Sequence, residues 1–236
     1  MHLLLAAPTA FTLEALKQVR NPHDFKWYAI PLLAIAVYIY SVELERGRFD
    51  IVAAGLAVLF ADAFNEMVNA LVLHFAHTAA LWTETGPTAY QFTVGLNLDS
   101  VFLFAIGGIA FAKLLPPDRA QRILGMPNRF ALALGLSLVS VGVEELLRAA
   151  GVFHWHYWWW NALSFPVIVV FGYLWFYMYA AYVFDAPPRR RAIALGGLGA
   201  VNVAMILVFG VVLGWLPCRS SRSSISLTPA PACSLT

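Results

Sequence analysis

Six apolar stretches run along the chain, near Trp27–Val42, Ile51–His77, Phe92–Leu115, Phe130–Ala150, Ala162–Phe184 and Ala192–Leu216. Most of them reach the roughly 20 residues that a helix needs to cross a bilayer core. The pattern predicts an all-α, polytopic membrane helix bundle of about six transmembrane helices. Short connections predict that consecutive helices are antiparallel neighbours. Before the first span, Thr9–Arg20 reads as an amphipathic helix on the membrane surface. Leu13, Leu16 and Val19 recur at spacings of three, while Glu14, Lys17 and Arg20 share another face. The predicted organisation is an interfacial segment over 1–26, a transmembrane domain over 27–216 and a disordered Ser/Pro-rich tail over 217–236.

Composition narrows the class. Hydrophobic residues make up 61% of the 236 and charged residues 12%, with a mean hydropathy of +0.72. A soluble domain carries about a quarter charged residues. A soluble globular protein, a disordered chain and a nucleic-acid binder are therefore excluded. The partners expected are the lipid bilayer and a hydrophobic small molecule. Oligomeric state is not readable. Cys218 and Cys233 both lie in the tail and cannot staple the core. The first 20 residues lack the basic start and long apolar run of a cleaved leader.

Arginine and lysine set the expected orientation. Arg46 and Arg48, then Lys113, Arg119, Arg122 and Arg129, then Arg189, Arg190 and Arg191 fall on one set of loops. The opposite short connections hold essentially only Arg148. The basic loops are expected to be cytoplasmic in the cell membrane. The His- and Trp-rich loops then face outward.

The second span carries the most informative polar residues. At about 1.5 Å per residue, Asp62 lies roughly 16 Å beyond Ile51. A charged carboxylate at such depth costs at least about 2.5–3.5 kcal/mol. With Asp62 at zero, Glu66 falls near 40°, Asn69 near −20° and His77 near 60° around the helix, at about 100° per residue. One face thus runs acid, acid, amide, imidazole, and must point into the bundle or a wet cavity. Asn97 and Asp99 diverge by about 200°. Asp99 is the costlier in lipid and is expected to turn inward, leaving Asn97 to bond another helix. Either Glu144 or Glu145 can pair with Arg148, leaving the other for a site. Glu145 is taken as the candidate acid. In an extended Phe153–Asn161 stretch, His154 and His156 point the same way. Together with His77 they form a candidate divalent-metal set, with carboxylates from Glu66 or Glu145. Otherwise no cofactor is implied.

Glu145-Leu-Leu followed by Gly151-Val-Phe153, Trp155 and Tyr157, with Asn65-Glu66 in a span, resembles the pattern of polytopic carotenoid hydratases and related membrane terpenoid cyclases. That resemblance implies an acid that protonates an olefin or epoxide and aromatic walls that hold the cation. Aromatic faces stabilise cations by roughly 0.5–2 kcal/mol each. Glu66, Asn69, His77 with Thr78, and Asp99 resemble the early motifs of membrane zinc amidases of the ceramidase type. The late His-x-x-x-His of that family is missing from the last span.

The leading expectation is a membrane enzyme doing acid-initiated chemistry on an isoprenoid or lipid in an outward-facing intramembrane cavity. Asp62, Glu66, Asp99 and Glu145 are the candidate acids. Asn69, Trp82, Trp155, Tyr157, Trp158 and Asn161 are the candidate substrate-binding residues. The alternatives are a metal-dependent hydrolase of lipid amides or esters, and a non-enzymatic subunit that binds pigment, quinone or a protein.

Overall fold

A computed structural model describes residues 7–216. The predicted disordered tail and both cysteines lie outside the described residues. The chain is predominantly helical. In order, its elements are α1 (Ala10–Gln18), α2 (Ala29–Glu45), α3 (Phe49–Ala76), β1 (Trp82–Glu84), α4 (Leu98–Leu114), the small hairpin β2 (Arg122–Ile123) and β3 (Met126–Pro127), α5 (Asn128–Ala149), β4 (Phe153–Trp155), α6 (Ala162–Asp185) and α7 (Pro188–Val212). Four of these helices, α3, α5, α6 and α7, are long and apolar enough to cross a membrane. The other two predicted spans are α2 and α4, each of 17 residues and so about 25 Å long.

Helix α3 is the hub. It packs on α4, α6 and α7, and its small residues let neighbours come close. A β-carbon added at Gly108 of α4 would stand 2.6 Å from the Gly55 carbonyl oxygen, so these two backbones touch. Two ion clusters tie one end of the bundle. Buried Glu43 meets Lys113 at 2.8 Å and Arg48 at 2.5 Å, and Asp185 meets Arg119 and Arg129, both at 2.9 Å. This basic end holds the arginine-bearing loops.

Helix α6 contains a π-helical segment, Ile168–Leu174, which shifts its carbonyls out of the ordinary ladder. Asn65 of α3 donates from Nδ2 to the Phe171 and Gly172 oxygens at 3.1 and 3.2 Å. Trp175 Nε1 donates to the Phe171 oxygen at 3.0 Å. In a medium without water, these side chains satisfy oxygens the helix leaves free.

The opposite, aromatic end is covered by a cap. Its core is the antiparallel pair of β1 and β4, with Trp82 opposite Trp155, Thr83 opposite His154 and Glu84 opposite Phe153. Helix α1 lies against β1, its N-terminus capped by Thr9. Its buried face is Thr12, Ala15 and Val19, while Leu13 is exposed, so the contact stripe is rotated from the expected one. The third apolar stretch also differs from expectation. Helix α4 begins only at Leu98, because Asn97 and Ser100 form a reciprocal capping box that stops the helix there. The segment from Phe92 to Asn97 belongs to the cap.

Candidate functional site

Alternation along two short strands builds the site. Side chains in a strand point to opposite faces in turn. Trp82 and Glu84 therefore point down into the bundle, and Thr83 and Thr85 point up. On β4, Phe153 and Trp155 point down, and His154 with His156 points up. Beneath this sheet lies a cavity of about 270 Å³ between α3, α4, α5 and α6. Four carboxyl residues line it, Asp62 and Glu66 from α3, Glu84 from β1 and Glu144 from α5. The aromatic walls are Trp82, Phe104, Phe153, Trp160, Tyr173, Phe176 and Tyr177.

Each carboxyl has its own setting. Glu66 Oε1 accepts from Trp82 Nε1 at 2.9 Å, while its buried Oε2 has no hydrogen-bond partner. Asp62 Oδ2 is likewise buried and unpartnered. Glu144 accepts from Tyr173 Oη at 2.5 Å and from Trp155 Nε1 at 3.2 Å. Glu84 Oε2 accepts from Asn97 Nδ2. Burial pushes the Glu84 carboxyl up to about 8, reinforced by the charges of Glu66, Asp99 and Glu144 and opposed by the Asn97 bond.

Asn69 positions this wall. Its amide pairs with the backbone of Trp82 in both directions, donating to the Trp82 oxygen at 3.0 Å and accepting from its nitrogen at 3.1 Å. The amide thus acts as one rung of a strand ladder and fixes the indole that serves Glu66. Trp82 in turn stacks on Trp160, with ring centres 5.5 Å apart. Gly95 passes so close that an added β-carbon would stand 2.6 Å from Glu66 Oε2.

The cavity is open sideways. Leu103 of α4 and Val139 and Val143 of α5 line it, yet they are 61%, 63% and 42% exposed on the helix surfaces. The mouth between α4 and α5 therefore opens on an apolar outer face of the bundle. An apolar groove of about 640 Å³ lies against the opposite wall, sharing Asn65, Trp82 and Trp160 with the cavity.

Asp62, Glu66 and Asn69 share one side of α3, and Trp82 of β1 bonds to Glu66 and Asn69, while His77, the fourth member of the expected stripe, lies outside the cavity lining. Trp155 joins them through Glu144. Other candidates are corrected. Glu145 pairs with Arg148 at 2.5 Å on the exposed face, and Glu144, one position earlier, faces the cavity instead. Asp99 and Asn97 exchange roles. Asp99 accepts from the Ala89 nitrogen at 2.7 Å and from Tyr28 Oη at 3.2 Å, away from the cavity, whereas buried Asn97 reaches Glu84. Tyr157 donates to the Ala79 oxygen and Asn161 caps the turn at Leu163, both structural tasks. Trp158 is 84% exposed and lines no part of the cavity.

The histidines do not converge. His154 bonds Thr85 and stacks on Phe11 at 3.7 Å, and His156 bonds Thr83 at 2.8 Å. Burial lowers His156 to about 4, helped by the charge of His154. His77 ends α3 in the left-handed conformation beside His74. Among the described residues, no three His, Cys, Asp or Glu side chains gather as a metal-binding set. The His-x-His face does form, but it points away from the carboxyls. The residues missed by sequence reasoning are Glu84, Tyr173, Tyr177, Trp160, Phe104 and Phe176.

Residues 9–211 match a family described as an uncharacterized membrane protein family. An uncharacterized protein of Archaeoglobus fulgidus is 41% identical over 210 residues, covering 89% of this chain and all of that relative. A second uncharacterized protein of the same organism is 34% identical over 56 residues, 23% of this chain and the whole of that short relative. No solved structure matches the chain. With the match spanning nearly every described helix, the chain belongs to this membrane protein family.

Proposed function

We propose that this protein is a membrane enzyme that performs acid-initiated chemistry on a lipid-soluble olefin of the isoprenoid class. One observation carries the reading. Four carboxyl residues and seven aromatic side chains line a single cavity whose mouth is made of surface-exposed apolar residues. A hydrophobic substrate reaches such a site from the bilayer without crossing water. Asp62 Oδ2 and Glu66 Oε2 have no protein partner, which suits carboxyls that deliver a proton to the substrate.

The step is an addition. The Asp62–Glu66 wall gives a proton to one olefinic carbon, and the π pair becomes the new C–H bond. Positive charge develops on the other carbon, faced by aromatic rings that attract cations. Water adds there, and its surplus proton goes to Glu144, which Tyr173 and Trp155 aim. The sum is olefin plus water giving an alcohol. If an internal double bond replaces water, the sum is a cyclised isomer. Proton transfer from a placed group contributes typically about 10²–10⁴-fold. The lipid-facing topology belongs to the same proposal. Helices α2 and α4 would be two short spans completing six passes, with the basic end cytoplasmic by the positive-inside rule.

The test is to incubate the purified protein in lipid nanodiscs with acyclic isoprenoid olefins in H₂¹⁸O and follow products by mass spectrometry. A product that gains one labelled water, or a cyclised isomer, is expected, and Glu66→Gln should reduce it by roughly 10²–10⁴-fold. Absence of both products across isoprenoid lengths would overturn the reading.

A further inference from the structure

We infer that Glu84 is the proton port of the cavity, passing protons between the aromatic-end surface and the carboxyls of α3. The inference rests on the proposed function for the use made of the proton, but the route itself is drawn from the fold. Glu84 is the one carboxyl of the cavity lining that comes from the cap rather than from a long helix. It is partly exposed, whereas Asp62 and Glu66 are buried. Glu144 of α5 is partly exposed too, but only Glu84 belongs to the cap that separates the cavity from the aromatic-end surface.

The acidic neighbours of Glu84 run from partly exposed to buried. On the surface side stands Asp99, partly exposed and bonded to Tyr28. Next comes Glu84, held by Asn97. Beyond it is Glu66, held by Trp82, and one helical turn deeper is Asp62. The groups facing Glu84 are Glu66 from α3, Asp99 from α4 and Glu144 from α5, whose charges all act on it, and Tyr28 at the start of α2, which Glu84's charge acts on in turn. His154 and His156 lie on the other face of the sheet. A group in this place with a midpoint of about 8 both takes up and releases protons near neutrality.

The reaction is proton-neutral overall, and the port gives its two walls a way to reset. In each turnover the α3 wall loses a proton and Glu144 gains one. The two walls return to their starting states only when a proton leaves one and reaches the other. Helices α4 and α5 offer lipid at the mouth, and lipid carries no protons. The cap side holds Glu84.

Infrared spectroscopy on nanodisc samples tests this without any substrate. After a switch to D₂O, the C=O bands of buried protonated carboxyls shift as they exchange. Glu84→Gln keeps size and an acceptor for Asn97 but carries no acidic proton. It should slow exchange of the α3 carboxyl bands by roughly tenfold or more, and Glu84→Asp should restore most of the rate. In the wild-type protein, exchange should also slow as pH rises through about 8. Wild-type exchange in a folded Glu84→Gln protein would overturn the port, as would a rate indifferent to pH across that midpoint. Failure of the enzymatic reading would look different. No hydrated or cyclised product would form, while exchange still depended on Glu84.

Discussion

Gly95→Ala adds one methyl group at the tightest point of the site. The added carbon would stand 2.6 Å from Glu66 Oε2, 2.7 Å from Trp82 Nε1 and 2.8 Å from Asn69 Nδ2. All three are too close for a real contact, and these three side chains hold one another. Gly95 is not one of the glycines with positive φ, so alanine suits its backbone and the perturbation is purely steric. Forcing a methyl into a filled interior costs about 1–3 kcal/mol. Losing the buried Trp82–Glu66 hydrogen bond adds about 1–3 kcal/mol. The combined loss is a large part of an ordinary folding free energy. Thermal unfolding in nanodiscs, followed by tryptophan fluorescence, should show a fall of several degrees and a changed Trp82 environment. The clash has a specific partner, so a second substitution tests it. Glu66→Asp withdraws the carboxyl by one methylene and should shrink the penalty of Gly95→Ala, with a coupling of about 0.5–3 kcal/mol. A Gly95→Ala protein that melts like wild type would refute the packing argument. So would a penalty unchanged in the Glu66→Asp background.

Adjacent glutamates should behave oppositely. Glu144→Gln should lower product formation by roughly 10²–10⁴-fold, whereas Glu145→Gln, which disturbs only the exposed pair with Arg148, should leave it within a few-fold. Asn65→Ala should lower the unfolding temperature, because it strands the Gly172 oxygen at a depth without water and leaves the Phe171 oxygen to Trp175 alone, a loss of about 1–3 kcal/mol. His156 is held near 4 in the folded protein, below its ordinary value of 6.5, so its contribution to stability is present above 6.5 and fades as pH falls toward 4. His156→Gln should therefore flatten the acid side of the stability profile measured by thermal melts between those values.

How far the site is readable from sequence depends on the length of the element that carries each residue. Helix α3 has 28 residues, long enough for the helical period to fix relative direction. Asp62, Glu66 and Asn69 were legible together for that reason, and all three are buried on the same side. The pair Glu144-Glu145 was not separable in this way. Spacings of three and four both suit a partner on a helix surface, so the choice of Arg148 for Glu145 depends on which face of α5 turns to Tyr173. That is a fact of packing. The choice between Asn97 and Asp99 failed for a related reason. It assumed that the helix already ran through both, whereas the capping box puts Asn97 outside it, where the backbone turns and the geometry of a helical wheel no longer applies.

The cap poses the hardest case. Strands β1 and β4 have three residues each, too few to show an alternating pattern, and their pairing joins segments some seventy positions apart. Yet that pairing decides the chemistry. Alternation puts Trp82 and Glu84 on the cavity side and sends His154 and His156 to the other. A one-residue slip in register would reverse every one of these directions, bringing imidazoles over the carboxyls and turning Glu84 outward. Asn69 guards against that slip, because its amide bonds the Trp82 backbone in both directions and so ties the strand to a fixed height on α3. The same side chain that reads from sequence as one more polar residue on an acidic stripe thus sets the register of the sheet above it. Its replacement by leucine, of similar size but with no hydrogen bonds to offer, should disturb Trp82 and Glu84 together.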